Sequence, residues 1–205
     1  MIIQGTEEWF AARLGKITAS RIKDVMAKTK SGYSTSRKNY AASLMLERVT
    51  GMREEGYVNA AMQRGTEEEP LARLAYSLHC GVEVEEIGFI NHPSIERTGA
   101  SPDGLIGIDG MLEIKNPNTA THIEYAISGK APAEYILQMQ WQLACAERQW
   151  CDFVSFDSRM PEGQQFFLRR VERDEKLIEE ITNEVITFDK EVENLVSACN
   201  SVVWY

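Results

Sequence analysis

Cysteine is scarce and unpaired in this sequence. Cys80, Cys145, Cys151 and Cys199 stand far apart with no C-x-x-C pair among them, which excludes the common zinc and iron–sulfur ligand sets and leaves four reduced core thiols. No apolar run approaches the roughly 18 residues needed to span a bilayer. The opening, Met1-Ile2-Ile3-Gln4-Gly5-Thr6-Glu7-Glu8, has neither the basic start nor the apolar stretch of a secretory signal, so the expectation is a soluble intracellular protein. There is no internal repeat and no low-complexity segment, and His79, His92 and His122 fall at no metal-ligand spacing. Positive charge is also short. The 22 Lys and Arg face 31 Asp and Glu, a net charge of -9, which argues against a protein that coats nucleic acid through general electrostatics.

What is present suits one domain. The chain has 205 residues, 43% hydrophobic and 26% charged, enough apolar mass for a single core over residues 1–205 and too little for two. Its cations are unevenly placed. Residues 1–40 carry eight basic side chains (Arg13, Lys16, Arg21, Lys23, Lys28, Lys30, Arg37 and Lys38) against three acidic ones, a local balance of +5 that leaves -14 on the remainder. Such a surface would admit a polyanion by one route while the rest of the body repels it. A solvated helix face that happens to be basic is the plain alternative.

Periodicity predicts helices first. Thr6 caps a short helix through Trp9, Phe10 and Leu14 that ends at Gly15, and Thr18 caps a second to about Lys28. A loop over Thr29–Lys38 precedes a helix from Ser36 to about Gly51. Another runs from about Asn59 to His79 with Leu71, Leu74, Ala75 and Leu78 on its apolar face, kinked or restarted at Pro70. From Val82 the period becomes two: strands over 82–90, 97–100, Gly104–Ile108 and Met111–Asn116 read as a meander about the Asp109-Gly110 turn. Thr119 and Pro132 open two helices, strands follow at about Cys151–Phe156 and Gln165–Val171, and Asp174 starts a long acidic helix to about Cys199. The fold class expected is α/β, or more closely α+β: one central mixed sheet flanked by helices. Trp141, Trp150 and Trp204 read as core or interface, and the acidic face of the last helix as solvated.

The residues with most chemistry lie on that meander. Ser101-Pro102-Asp103-Gly104 opens one strand and Glu113-Ile114-Lys115 lies on the next. Alternation sends Glu113 and Lys115 to one face, and the hairpin can bring Asp103 beside Glu113. Two close carboxylates repel unless a cation lies between them, and hard oxygen ligands suit Mg²⁺ or Mn²⁺. The Ile114 carbonyl could add an oxygen, and Lys115 could orient or help deprotonate a water for in-line attack on a phosphodiester. The plain alternative is a surface hairpin with a cross-strand salt bridge worth about 0–1 kcal/mol.

Five ordered segments carry a resemblance over most of the chain, from about Glu8 to Asp189: Trp9-x-x-x-Arg13-Leu14-Gly15-Lys16-Ile17-Thr18-Ala19-Ser20, Arg64-Gly65-x-x-x-Glu69-Pro70, Ser101-Pro102-Asp103-Gly104-Leu105, Leu112-Glu113-Ile114-Lys115 and Gln138-Met139-Gln140. Together they resemble the lambda-exonuclease-like (YqaJ-type) viral recombinases of the PD-(D/E)xK nuclease superfamily, which implies a restriction-endonuclease-like core. The resemblance implies that Asp103, Glu113 and the Ile114 carbonyl bind metal, that Lys115 activates water, and that Glu69 adds a further acidic group acting through water. It places Arg13, Ser20, Ser101 and Gln140 in a pocket for a 5′-terminal phosphate. An arginine fork and the amides of a helix start suit that ligand independently. Trp9, one turn from Arg13, could pack along it or be a core aromatic. Lys28 and Lys30, in the loop resembling the segment that tracks the duplex, and Met62, where an apolar wedge is placed, complete the candidate DNA contacts.

The implied activity is Mg²⁺-dependent 5′-to-3′ exodeoxyribonuclease, with Mn²⁺ as a substitute. It would degrade one strand of linear duplex DNA from a 5′-phosphorylated end to mononucleotides and leave 3′ single-stranded tails. The implied setting is a phage or prophage protein in the cytoplasm of a bacterial host, a homotrimeric ring with a single-strand-annealing recombinase partner and no membrane. Two rivals stay open from the residues alone. A structure-selective endonuclease or resolvase would cut circular or branched DNA without an end, and a non-enzymatic DNA-binding module would bind without metal-dependent turnover. An iron–sulfur nuclease is disfavoured by the lack of a cysteine triplet.

Overall fold

A computed structural model describes residues 2–30, 32–53 and 60–203, the side chains of 60–62 excepted. Thr6 caps α1 (Glu7–Arg13), its hydroxyl accepting from the Trp9 amide at 3.3 Å. Gly15 then turns the chain at φ 68°, where a Cβ would meet Arg48 Cγ at 3.0 Å; only glycine takes both the left-handed backbone and the close approach without strain. β1 (Ile17–Thr18) leads through a 3-10 turn (Ala19–Arg21) into α2 (Ile22–Met26). The Thr18 side chain caps nothing; its hydroxyl lies 3.3 Å from that of Ser20. Where a loop was expected, β2 (Lys28–Thr29) and β3 (Gly32–Tyr33) pair antiparallel. Ser34, two residues earlier than read from the sequence, caps α3 (Thr35–Thr50) by accepting from the Arg37 amide.

Helix α4 (Ala60–Cys80) contains Pro70 without interruption. Its buried side is not the leucine stripe. Ala72 and Tyr76 pack on the sheet, whereas Leu71, Leu74 and Leu78 are 53%, 56% and 76% exposed. A small Ala72 lets the helix approach the strands closely, and the Tyr76 hydroxyl reaches Asp152 Oδ2 at 2.7 Å, which fixes the helix rotation. The expected strand over 82–90 is largely irregular. Glu85 alone exchanges two backbone hydrogen bonds with Leu105, and β4 is confined to Ile90–Asn91.

The remaining elements are β5 (Thr98–Ala100), β6 (Gly104–Ile106), β7 (Gly110–Lys115), α5 (Thr119–Ser128), α6 (Ala133–Ala146), β8 (Trp150–Phe156), β9 (Phe166–Glu172) and α7 (Glu175–Ser201). Asn118 rather than Thr119 caps α5, and Asp174 caps α7. The expected meander divides between two ladders, β1-β5-β4 and β6-β7-β8-β9, with β7 and β8 parallel and their crossover formed by α5 and α6.

Alternation along β7 sets the layers. Leu112 and Ile114 join Val154, Phe156, Ala72 and Tyr76 on the α4 side, while Met111 joins Phe153, Met139, Leu143 and Tyr125 on the α5–α6 side. Beyond α6 a third cluster, including Ile22, Tyr40, Trp141, Ile181 and Phe188, ties α2 and α3 to α7. Helices therefore cover both faces of mixed sheets, as the sequence-level fold class requires.

Part of the basic N-terminal charge is paired with the last helix. Arg37 is buried and bonds Glu191 (2.8 Å) and Glu184 (3.1 Å), Lys28 pairs with Glu184 at 2.5 Å, and Arg48 bridges Asp189 and Glu193. The acidic face of α7 is thus partly a seam with α3 and the β2–β3 hairpin, not wholly a solvated surface.

Candidate active site

The β6–β7 ladder ends at the Gly104–Leu112 pair, and Asp103 begins where it stops. Its amide donates to the Leu112 carbonyl at 3.0 Å, and its Oδ2 accepts from the Ile114 amide at 2.6 Å. The carboxylate thus replaces the missing ladder partner and is pinned across β7 from Glu113 and Lys115. The amide and carbonyl of one strand residue share an edge, so the Ile114 carbonyl opens to the Asp103 side.

Glu113 is 1% exposed and its carboxylate is held on several sides. Gln138 donates to Oε1 at 2.6 Å, Gln142 donates to Oε2 at 2.7 Å, and the Lys115 ammonium also bonds Oε1. Gln138 and Gln142 are one turn apart on α6 and face the strand together. Burial, then the charge of Glu113, hold the Asp103 carboxyl well above the usual carboxylate range despite Lys115. Burial disfavours the Lys115 ammonium, but Glu113 and Asp103 outweigh it and raise its pKa; the ring of Tyr135 lies 4.9 Å from Nζ. Glu69 on α4 pairs with Arg73, which also donates to the Asp103 carbonyl at 3.1 Å. Burial raises the Glu69 carboxyl, Arg73 opposes the shift, and Glu113 adds to it.

Among the described residues no three His, Cys, Asp or Glu side chains form a ready-made metal cage. Cations of the chain itself occupy the carboxylates, with Lys115 on Glu113 and Arg73 on Glu69. The donor chemistry nonetheless fits a hard divalent cation: the buried Glu113 and the half-buried Asp103 supply carboxylate oxygens, and the Ile114 carbonyl lies on the Asp103 edge of the strand.

Two residues before Asp103, Ser101 faces a different environment. Its hydroxyl accepts from Trp9 Nε1 at 2.9 Å and Arg13 Nη1 at 3.2 Å, and the Arg13 guanidinium lies 4.1 Å from the centre of the Trp9 ring. Burial lowers the Arg13 pKa while Tyr40 and Glu47 oppose it. A cavity of about 260 Å³ opens here, lined by Arg13, Lys16, Ser20, Arg21, Tyr40, Glu47 and Arg53 among others. Arg53 sits 3.7 Å from the centre of the Phe10 ring, and Glu47 accepts from the Gly15 amide at 2.8 Å.

The structure therefore lines one cavity with Arg13 and Ser20 and hydrogen-bonds Ser101 to Arg13 and Trp9 beside it, but takes Gln140 elsewhere. Gln140 is buried on another face of α6. It donates to the Glu172 carbonyl and accepts from the Asp174 amide, so both ends of its amide serve the β9–α7 junction. Lys28 pairs with Glu184, Lys30 is exposed at the β2–β3 turn, and the Met62 side chain and Trp204 lie outside the described residues. Sequence reasoning missed Gln142, Arg73, Arg53 and Tyr40. The i, i+4 spacing of Gln138 and Gln142 was the available signal for the first; the others depend on long-range packing.

The fold is that of solved exonucleases. An alkaline exonuclease (LHK-Exo) from Laribacter hongkongensis is 55% identical and superimposes with a TM-score of 0.89, covering 95% of this chain and 96% of its own. The same enzyme in complex with dAMP gives 56% identity and 0.89 over the same shares. A phage-related exonuclease from Haemophilus somnus 129PT shares the fold at 18% identity, with a TM-score of 0.72 over 90% of this chain and 96% of its own. Residues 8–149 match the YqaJ-like viral recombinase domain, and the chain belongs to that family. An uncharacterized protein of Acanthamoeba polyphaga mimivirus is 26% identical over 74% of this chain, which spans only 28% of that relative's length. Among the described residues no helix is long and apolar enough to cross a membrane.

Proposed function

We propose that this chain is a Mg²⁺-dependent 5′-to-3′ exodeoxyribonuclease of the PD-(D/E)xK type. It acts on the 5′-phosphorylated strand of linear duplex DNA and leaves a 3′ single-stranded tail. The observation that carries the reading is the adjacency of two sites of opposite charge: a cationic cavity whose Arg13 bonds Ser101, and a carboxylate–lysine centre at Asp103, two residues on. Two residues span at most about 7 Å, a separation suited to a terminal phosphate in one site and the next phosphodiester in the other. Family membership and the 55% identical alkaline exonuclease support it, and the dAMP of that enzyme's complex is a 5′-mononucleotide, the chemical class of product proposed here.

Asp103, Glu113 and the Ile114 carbonyl would hold the metal, with Glu69 contributing through water. Bound there, Mg²⁺, or Mn²⁺ in its place, supplies Lewis-acid polarisation of the phosphodiester and lowers the pKa of water. Gln138 and Gln142 keep both oxygens of Glu113 oriented. Lys115, held as the ammonium by Glu113 and Asp103, orients the attacking water. Arg13, with Trp9 stacked on it, and the Ser101 and Ser20 hydroxyls receive the terminal phosphate. Lys30 and Lys28 remain candidate contacts to the duplex, Lys28 from a position also held by Glu184.

The reading extends to a homotrimeric ring, to a single-strand-annealing partner, and to a phage-encoded protein in the host cytoplasm. The exposed Leu71, Leu74 and Leu78 of α4 form an apolar stripe of the kind that subunit contacts bury. The test is a time course on one linear duplex, each strand labelled in turn, in Mg²⁺ or EDTA beside a closed circle. Metal-dependent loss of the 5′-phosphorylated strand with the circle intact is expected. Cutting of the circle would favour an endonuclease, and binding without turnover would leave only a DNA-binding module.

A further inference from the structure

The Arg64-Gly65-x-x-x-Glu69 segment lends only Glu69 to the chemistry above, yet Arg64 faces the exit of the strand that bears Lys115. Its Nη2 donates to the carbonyls of Asn116 at 3.2 Å and Pro117 at 2.9 Å, the two residues after Lys115. Arg159, from the segment after β8, donates to the same Pro117 carbonyl at 3.2 Å and is itself held by Asp157 at 2.7 Å. One turn along α4, Glu68 accepts the Ser158 hydroxyl at 2.8 Å and lies 4.0 Å from Arg64 Nε.

This junction carries an unusual polar load. Arg64 Nε, Glu68 Oε2 and Asn116 Nδ2 are three of the four buried side-chain polar atoms that lack a hydrogen-bond partner among the described residues. The far end of the hairpin is gripped in the same manner, because Arg73 of α4 donates to the Asp103 carbonyl. One helix thus holds the backbone where the carboxylate–lysine hairpin begins and where it ends.

We propose that Arg64 is a positioning residue for Lys115. The β7–β8 ladder closes at the Lys115–Ser155 pair, and a strand end with no further pairing frays unless other groups take its carbonyls. Arg64 takes two of them, fixing the backbone that carries a long, flexible ammonium to Glu113. The inference rests on the nuclease reading of Lys115, and a misplacement of about 1 Å at such a group is enough to cost roughly 100-fold in turnover.

The experiment compares wild type, Arg64→Ala, Arg64→Lys, Lys115→Ala and the Arg64→Ala/Lys115→Ala double variant. Each is assayed on 5′-phosphorylated linear duplex, with thermal melting and Mg²⁺ binding by calorimetry. Arg64→Ala is expected to lower kcat about 10- to 100-fold with KM and Mg²⁺ affinity unchanged. Arg64→Lys, which can serve one carbonyl, should recover part of the loss, and Arg64→Ala should cost nothing further once Lys115 is gone. Full kcat in Arg64→Ala, or an equal fold-loss in both backgrounds, would overturn the positioning role. Wild-type cleavage by Lys115→Ala would instead overturn the reading of Lys115 on which the inference rests. Should Arg64→Ala fail to fold, Arg64→Lys with and without Lys115→Ala makes the same comparison.

Discussion

Ser101 and Asp103 are two residues apart and answer to opposite demands. Ser101 accepts from Arg13, which with Lys16, Arg21 and Arg53 lines one cavity in which Glu47 is the acidic member, and burial pushes the Arg13 pKa down. Around Asp103, carboxylates converge, and burial with the Glu113 charge pushes the Asp103 carboxyl up. Burial disfavours the charged form of Arg13 on one side and of Asp103 on the other, and a ligand of the opposite sign would offset each penalty. A terminal phosphate on one side and a divalent cation on the other would relieve both at once. That pairing teaches more than either cluster does, because surface salt bridges alone would have neutralised one side with the other.

The largest effect should come from the carboxylate side. Lys115→Ala is expected to keep DNA binding by gel shift while losing at least about 100-fold in cleavage, and near-normal cleavage would remove the chemical half of the comparison. Next, Gln142→Leu takes away the donor to Glu113 Oε2. Mg²⁺ affinity by calorimetry should fall about 10- to 100-fold, whereas an unchanged affinity would show that α6 does not orient Glu113. On the cationic side, Arg13→Ala should reduce the preference for 5′-phosphate over 5′-hydroxyl ends by roughly tenfold, the scale of one charge-assisted hydrogen bond. The same ratio as wild type would break the assignment of the cavity.

The smallest effect sharpens the comparison from outside it. Asp157 is fully buried and, although burial alone would raise it, hydrogen bonds from Arg159 and Thr119 hold its carboxyl well below the usual range. A depressed folded-state pKa gives stability that is present above the unfolded value, about 3.9, and is lost as the pH falls through the folded one. Asp157→Asn should therefore lower Tm at pH 7, by the equivalent of about 1 kcal/mol, and flatten the acid limb of the Tm–pH curve. An unaltered acid limb would place that stabilisation elsewhere.

Local pattern made part of this legible. The alternation of Glu113 and Lys115 and the amphipathic last helix follow from strand and helix periods over short stretches, and the structure shows β7 and α7 close to where those periods put them; the turn instead spans Gly107 to Asp109, and Gly110 already pairs with Ile106 as the first residue of β7. Helix phase was legible too, but Gln140 shows that a residue type in a matching segment does not by itself reveal which face it takes. Gln138 and Gln142 share the face toward Glu113, and Gln140 turns to the β9–α7 junction. The leucines of α4 mislead for a related reason, since helix-on-sheet packing buries the small Ala72 and the anchored Tyr76 and leaves the larger stripe outward. What sequence could not reveal is pairing across the chain. Lys28 and Arg37 look like free cations until α7 brings Glu184, some 150 residues away, against them.

The most direct test of the central claim is the size of the first product. A linear duplex bearing a labelled 5′-phosphate would be mixed with excess protein and Mg²⁺, quenched within a single turnover, and its products sized. If the cavity beside Ser101 holds the terminal phosphate while the centre at Asp103 cleaves the next phosphodiester, the label leaves as a 5′-mononucleotide, and Arg13→Ala slows that release. A first product of several nucleotides, or loss beginning at the 3′ end, would contradict the account.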